Sequence, residues 1–174
     1  MSEEKMCPHC GSRETEVRDG HYYCRNCGRE FGRDKETNNG EPLKEKLTGL
    51  RFGIGNEKDG VLRIRIAKEA QTDEVVYEVY QAKNGLINKK ADIMDTAVWN
   101  RLVNTLVDEC FVCDWDRQYY PVNDGATLYQ GVGWRLDLIV EGEDEITYQG
   151  IDAYPVYLAR VRRLLAPYAA MVRK

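Results

Sequence analysis

Val61-Leu62-Arg63-Ile64-Arg65-Ile66-Ala67 alternates strictly, with Leu62, Ile64 and Ile66 on one face and Arg63 and Arg65 on the other. Strand side chains point to opposite faces with a period of two, so the pattern predicts a strand buried on one side. After a polar turn around Gln71-Thr72-Asp73, Glu74-Val75-Val76-Tyr77-Glu78-Val79-Tyr80 alternates again, offering Val75, Tyr77 and Val79 to one face. The two strands make a hairpin. Asn84-Gly85 and Asn88-Lys89-Lys90 break the alternation. Beyond them Val98, Trp99, Leu102, Val103, Leu106, Val107, Cys110 and Phe111 recur at steps of three and four. That spacing predicts an amphipathic helix with Asp95 or Thr96 as its N-cap.

The same order recurs towards the C-terminus. Trp134-Arg135-Leu136-Asp137-Leu138-Ile139-Val140 places Trp134, Leu136, Leu138 and Val140 on one face, Glu141-Gly142-Glu143-Asp144 turns the chain, and Ile146, Tyr148 and Gly150 continue on the return strand. A second helix is expected from Tyr154-Pro155, with proline at the first helical position and Asp152 accepting backbone N–H bonds at its start. Leu158, Val161, Leu165 and Tyr168 form its stripe, and Pro167 is expected to kink or end it. Residues 43–174 therefore read as an α+β domain of two ββα units whose hairpins join into one antiparallel sheet. Burial is cheapest with both helices on one side of that sheet. The other face then carries Arg63, Arg65, Glu78, Tyr80, Arg135 and Asp137, the mixed charge of a solvated surface, and is also the first surface to test for a partner.

Working back from Val61, Gly49 to Gly55 surrounds Leu50, Phe52 and Ile54 with glycine and suggests a strand leading into the sheet. This stretch lacks the GxxxxGK spacing and lysine of a phosphate loop. Leu43-Lys44-Glu45-Lys46-Leu47 can form a short helical turn. Residues 33–42, running from Arg33 to Pro42, hold turn and charged residues with no apolar side chain worth burying, and read as a flexible linker.

Residues 1–32 differ in kind. Cys7-Pro8-His9-Cys10-Gly11 is followed, thirteen residues on, by Cys24-Arg25-Asn26-Cys27-Gly28. A CxxC pair turns two sulfurs towards one ion, and two such pairs complete the tetrahedral shell that zinc prefers. Gly11 and Gly28 suit a backbone that passes close to sulfur with positive φ. Between the pairs, Thr15-Glu16-Val17-Arg18 and His21-Tyr22-Tyr23-Cys24 flank Asp19-Gly20, a strong two-residue hairpin signal. His9 and His21 compete as ligands, but four thiolates already satisfy the metal. Two disulfides are the alternative use of the four cysteines, and nothing in the chain marks a secreted protein.

Residues 5–32 resemble a zinc ribbon, the family of two CPxCG-like knuckles joined by a β-hairpin. The resemblance implies one structural Zn2+ held by Cys7, Cys10, Cys24 and Cys27; the second knuckle has Arg25 where the family has proline. So short a segment buries too little to fold alone, and metal binding would supply its folding free energy.

Zinc ribbons often bind nucleic acid, which makes charge informative. Residues 1–50 hold nine Lys or Arg against ten Asp or Glu, and residues 51–174 hold sixteen against nineteen. Neither part shows the basic excess that phosphate binding rewards. The expected partner is therefore a protein, met by the ribbon hairpin or the open sheet face. Nucleic acid is the alternative, through Arg18, Tyr22, Tyr23, Arg25 and Arg29. The oligomeric state is left open.

Catalysis finds little support. No histidine follows His21, so Cys–His and Ser–His pairs are unavailable in the larger domain. Cys110 and Cys113 form a third CxxC, but they close a helix, where the dipole does not favour a thiolate, and Cys110 falls on the apolar stripe. Asp114, Asp116 and Asp124, near Tyr119 and Tyr120, form the remaining candidate site, for a divalent cation in a cation-dependent enzyme. The longest apolar run, Leu164 to Val172, is too short for a membrane span and contains Pro167. With no signal-peptide core before the first knuckle, a cytoplasmic, reducing location is expected.

Overall fold

The computed structural model describes residues 5–121 and 131–170. It is a mixed α+β structure, mostly sheet with three helices and a cysteine cluster at its N-terminal end. The first sheet has three antiparallel strands, β1 (Thr15–Arg18), β2 (His21–Cys24) and β3 (Glu30–Phe31), in that order. Asp19 and Gly20 turn β1 into β2 with φ of 49° and 81°. Positive φ at both central residues matches the twist of a hairpin, which explains the Asp-Gly pair.

The larger sheet has seven strands. After the short helix α1 (Leu43–Lys46) come β4 (Leu47–Asn56), β5 (Gly60–Lys68), β6 (Val75–Lys83) and β7 (Leu86–Met94), then helix α2 (Thr96–Asn104). β8 (Gln118–Tyr119), β9 (Gly133–Val140), β10 (Ile146–Ile151) and helix α3 (Leu158–Ala170) follow among the described residues. The spatial order is β7-β6-β5-β4-β9-β10-β8, antiparallel except that β8 runs parallel to β10. The arrangement departs from the expected pair of ββα units, because four strands, not two, precede α2. The Gly49–Gly55 stretch is the inner strand β4, which joins the two halves by pairing with β9. Asn84 and Gly85, with φ of 52° and 78°, do not end the hairpin but start β7.

Registry places Leu50, Ile66 and Tyr77 side by side, and likewise Phe52, Ile64 and Val79; Phe52 also sits opposite Leu136, and Leu136 opposite Tyr148. These residues form one buried apolar face. Helix α3 lies against it: the rings of Tyr168 and Tyr77 meet edge to face at 5.0 Å, and Gln81 donates to the Ala169 carbonyl. Trp99, Leu102 and Val103 of α2 join the same core. The opposite face carries Arg63, Arg65, Glu78, Tyr80 and Arg135, as expected. Asp137 is its exception, only 4% exposed, because Arg51, Arg135 and the Thr147 hydroxyl converge on its carboxylate.

Helix ends differ from expectation. Asp95 is the N-cap of α2 and accepts from the Ala97 N–H at 3.0 Å. The helix does not run evenly to Phe111: residues Thr105–Glu109 widen to a π-helical turn, and Phe111 takes φ 51° and ψ 40°. Helix α3 begins at Leu158, beyond a turn at Pro155, and continues past Pro167 to Ala170. Packing of Leu165, Tyr168 and Ala169 holds the turn that Pro167 would otherwise release. Asp152 does not serve this helix; it accepts from the backbone of Gly131 and Val132 at 2.8 and 2.9 Å, just before β9.

The segment 33–42, read as a flexible linker, is folded back on itself and on its neighbours. Thr37 N–H donates to the Glu41 carbonyl and Leu43 N–H to that of Lys35, and Glu36 bridges Pro42. The three-stranded N-terminal sheet meets the segment after α2 through aromatic rings. Phe31 and Tyr22 stack at 5.2 Å, and both meet the edge of Phe111, which in turn contacts Tyr157. Replacing Phe111 with alanine should lower unfolding stability by about 3–5 kcal/mol, with β3 losing hydrogen-exchange protection before β4 and β9. Equal loss of protection in all three strands would show that the ring does not join ribbon to domain.

Candidate metal centre

The two knuckles share one backbone scheme. Gly11 N–H donates to the Cys7 carbonyl and Gly28 N–H to that of Cys24, both at 2.9 Å, with glycine φ of 78° and 75°. Cys7 N–H reaches the Ser12 carbonyl and Cys24 N–H that of Arg29, so each first cysteine is fixed by the chain that follows its own turn. A side chain at either glycine would hold the left-handed region at a cost. Pairing of β1 with β2, which sets Thr15 opposite Cys24, brings the second knuckle back to the first.

The four sulfurs lie within 4.8 Å of one another, with Cys7 Sγ 3.7 Å from Cys27 Sγ and Cys10 Sγ 3.6 Å from Cys24 Sγ. A tetrahedron of thiolates at about 2.3 Å from zinc has an edge of about 3.8 Å. The set is positioned to hold one metal ion. The spacing is far from a disulfide bond, about 2.05 Å, and all six cysteines are free. Cys7 and Cys24 are buried while Cys10 and Cys27 face outwards.

The surroundings treat the thiols unequally. Burial pushes the Cys7 thiol up to about 12 and also raises Cys27. Hydrogen bonding from the Ser12 backbone and the Asn26 amide pulls Cys10 down to about 6. A cation that binds all four must displace the protons that burial holds on Cys7 and Cys27, and its charge is what makes their ionisation favourable.

Neither histidine joins the cluster. His9 N–H donates to Cys7 Sγ at 3.4 Å, its ring Nδ1 is buried without a partner among the described residues, and burial lowers its pKa. His21 is buried between Glu30 and Arg33, with Nε2 3.2 Å from each.

The remaining candidates serve other ends. Asp114 accepts from the Gly32 N–H at 3.0 Å and pairs with Lys35 at 3.1 Å, and Asp116 lies 3.6 Å from Arg29. Both carboxylates thus meet cations or donors of residues 29–35. Asp124 lies outside the described residues. Among those described, the four N-terminal cysteines are the one cluster spaced for a metal. Cys110 is fully buried and Cys113 half-buried; burial raises them to about 11 and about 12. Of the residues considered for nucleic acid, Tyr22 is committed to Phe31 and Phe111, Arg29 faces Asp116, and Arg18 lies over the Tyr23 ring at 3.7 Å. The clasp of Gly32 and Lys35 by Asp114 had no signal in the sequence, since the contact spans about eighty positions and aspartate is common in turns.

No protein-family model matches the chain, and no curated protein matches it. No helix among the described residues is long and apolar enough to cross a membrane.

Metal analysis of the purified chain should give one ion per molecule. Cys7→Ser or Cys24→Ser should abolish it, whereas Cys110→Ala with Cys113→Ala should retain the full equivalent. Thiolate is the reactive form, so raised pKa values make Cys110 and Cys113 slow towards a thiol reagent at pH 8, below both values. Their labelling should accelerate as pH rises towards 11, or at once on unfolding; rapid labelling of the folded, metal-loaded protein at pH 8 would contradict the burial argument.

Proposed function

We propose that this chain is a zinc-binding interaction protein in which a structural zinc ribbon presents a recognition surface to a protein partner. The observation that carries the reading is an apolar residue left exposed at the edge of the ribbon sheet. Tyr22 and Phe31 are spent against Phe111, while Val17, which pairs with Tyr22 on the same face but lies on the edge strand β1, is 61% exposed. An apolar residue on an unpaired strand edge suits a partner that adds a strand or covers the patch.

Zinc is the metal that best suits the site, since four thiolates with no oxygen ligand favour it over hard cations. Four protein ligands leave no open position for water or substrate, so the reading gives the metal a structural task and no catalytic one. Six free thiols suit a reducing, cytoplasmic setting. Nucleic-acid binding by the ribbon is the weaker reading, because Tyr22 and Arg29 are already engaged and the chain carries net charge −4.

Affinity capture with the zinc-loaded chain from native extract should recover one stoichiometric protein partner. Val17→Asp should remove that partner while metal content and melting temperature stay unchanged. Recovery of nucleic acid that weakens with salt, or equal capture by Val17→Asp, would count against this surface.

A further inference from the structure

We propose that the open face of the seven-stranded sheet binds a small planar anion, a flat ring bearing one carboxylate or phosphate, on a floor made of glycine backbone. This goes beyond the partner surface on the ribbon and rests on different residues. A cavity of about 750 Å³ lies on this face, within the range of roughly 300–1,000 Å³ that small-molecule sites occupy. Residues of β4, β5, β6, β9 and β10 line it together with Tyr120, and neither α2 nor α3 contributes.

Its floor lacks side chains where strands normally carry them. Gly55 pairs directly with Gly133, and Gly53 lies two residues along β4 from Gly55, between Arg63 and Arg135. Gly55 is explained by the fold: its φ is 138° and a Cβ there would meet the Gly60 carbonyl oxygen at 2.0 Å. Gly53 and Gly133 are not. Neither has positive φ, and an added Cβ would find only ordinary contacts, 3.6 Å to Arg63 Cγ at Gly53 and 3.9 Å to the Gly150 carbonyl at Gly133. Glycine inside a strand weakens it, and one standing use for it is to let a ligand approach the backbone closely. Two adjacent strands thus give up side chains at one spot that the fold would let them fill.

The walls say what fits. Four arginines, 51, 63, 65 and 135, face Glu78 and Asp137, an excess of positive charge in a chain of net charge −4. Arg51 and Arg135 share Asp137, Arg51 also reaches Glu145, and Arg65 pairs with Glu78. Arg63 differs: its guanidinium lies 5.5 Å from the Tyr80 ring and meets no carboxylate among the described residues. It is the cation with capacity to spare for an anionic group. Exposed Ile151 and Tyr120 supply apolar flanks to a ring lying flat on the glycine peptides.

Calorimetric titration of the zinc-loaded chain with 2-naphthoate and with adenosine monophosphate distinguishes a carboxylate from a phosphate source. Saturable binding of at least one is expected, with 2-naphthalenemethanol, which lacks the charge, binding at least about tenfold more weakly. Gly53→Val or Gly133→Val should reduce binding by about tenfold or more by filling the floor. Arg63→Gln, an exposed change that leaves the fold intact, should weaken the anions about tenfold and leave the neutral compound unaffected. Absence of saturable binding by both anions overturns the proposal. So does equal binding by the Arg63→Gln chain, or binding of a single-stranded oligonucleotide with neither small anion bound.

Discussion

Phe111 is the contact on which the assembly of this chain depends. A bulky residue in the left-handed region costs about 1–2 kcal/mol, and the preceding π-helical turn shows that the helix has already been distorted to reach it. What offsets the cost is the full burial of a phenyl ring among Tyr22, Phe31 and Tyr157. The ribbon has almost no core of its own, with Phe31 and the buried pair of cysteines inside it. It therefore borrows apolar surface from the larger domain. Around the ring, the contact is closed by polar groups: Tyr157 hydroxyl to the Met6 carbonyl at 2.6 Å, and the Asp114 carboxylate to Gly32 N–H and Lys35.

The larger domain solves a different problem. One apolar sheet face is covered by helices, which leaves the other to water, and mixed charge is the usual outcome for such a surface. Cross-strand ion pairs on Asp137 and Glu78 account for most of that charge here. They do not account for two strand-interior glycines without a conformational need, or for an arginine turned to an aromatic ring instead of a carboxylate. The exposed face is thus only partly explained by solubility, and the unexplained part is confined to one cavity.

Much of this was legible in the sequence, and the failures have physical causes. The knuckles, the Asp19-Gly20 hairpin and the buried faces of β5, β6 and β9 were readable because each obeys a local rule: ligand spacing, turn chemistry or period-two burial. β7 was not. It is an edge strand, with Leu86, Ile87 and Ile93 exposed and only Met94 buried, so no alternation of burial is written into it. Asn84-Gly85, a strong hairpin turn, was the signal that could have revealed it. The segment 33–42 looked like a linker because its hydrogen bonds are made by backbone and short polar side chains, which composition does not register. Asp114 and Asp116 looked like a cation site for a related reason: acidic residues close in sequence were weighed together, while the cations they meet come from residues 29–35.

Those same residues lie between the two candidate sites. From the ribbon contact at Asp114 the chain passes to Trp115, whose ring meets Trp134 at 6.3 Å and Tyr148 at 5.8 Å, and β9 carries Trp134 next to the cavity floor at Gly133. Spatial continuity of this kind is not itself coupling, which needs an element with two discrete arrangements. Here the path is buried and hydrogen-bonded, with Trp115 Nε1 donating to the Cys110 carbonyl and Trp134 Nε1 to that of Ala153. Such a path acts as a rigid mount. It fixes where the ribbon sits and how β9 is presented, so the metal centre and the open face are two properties of one scaffold, each answerable to its own measurement.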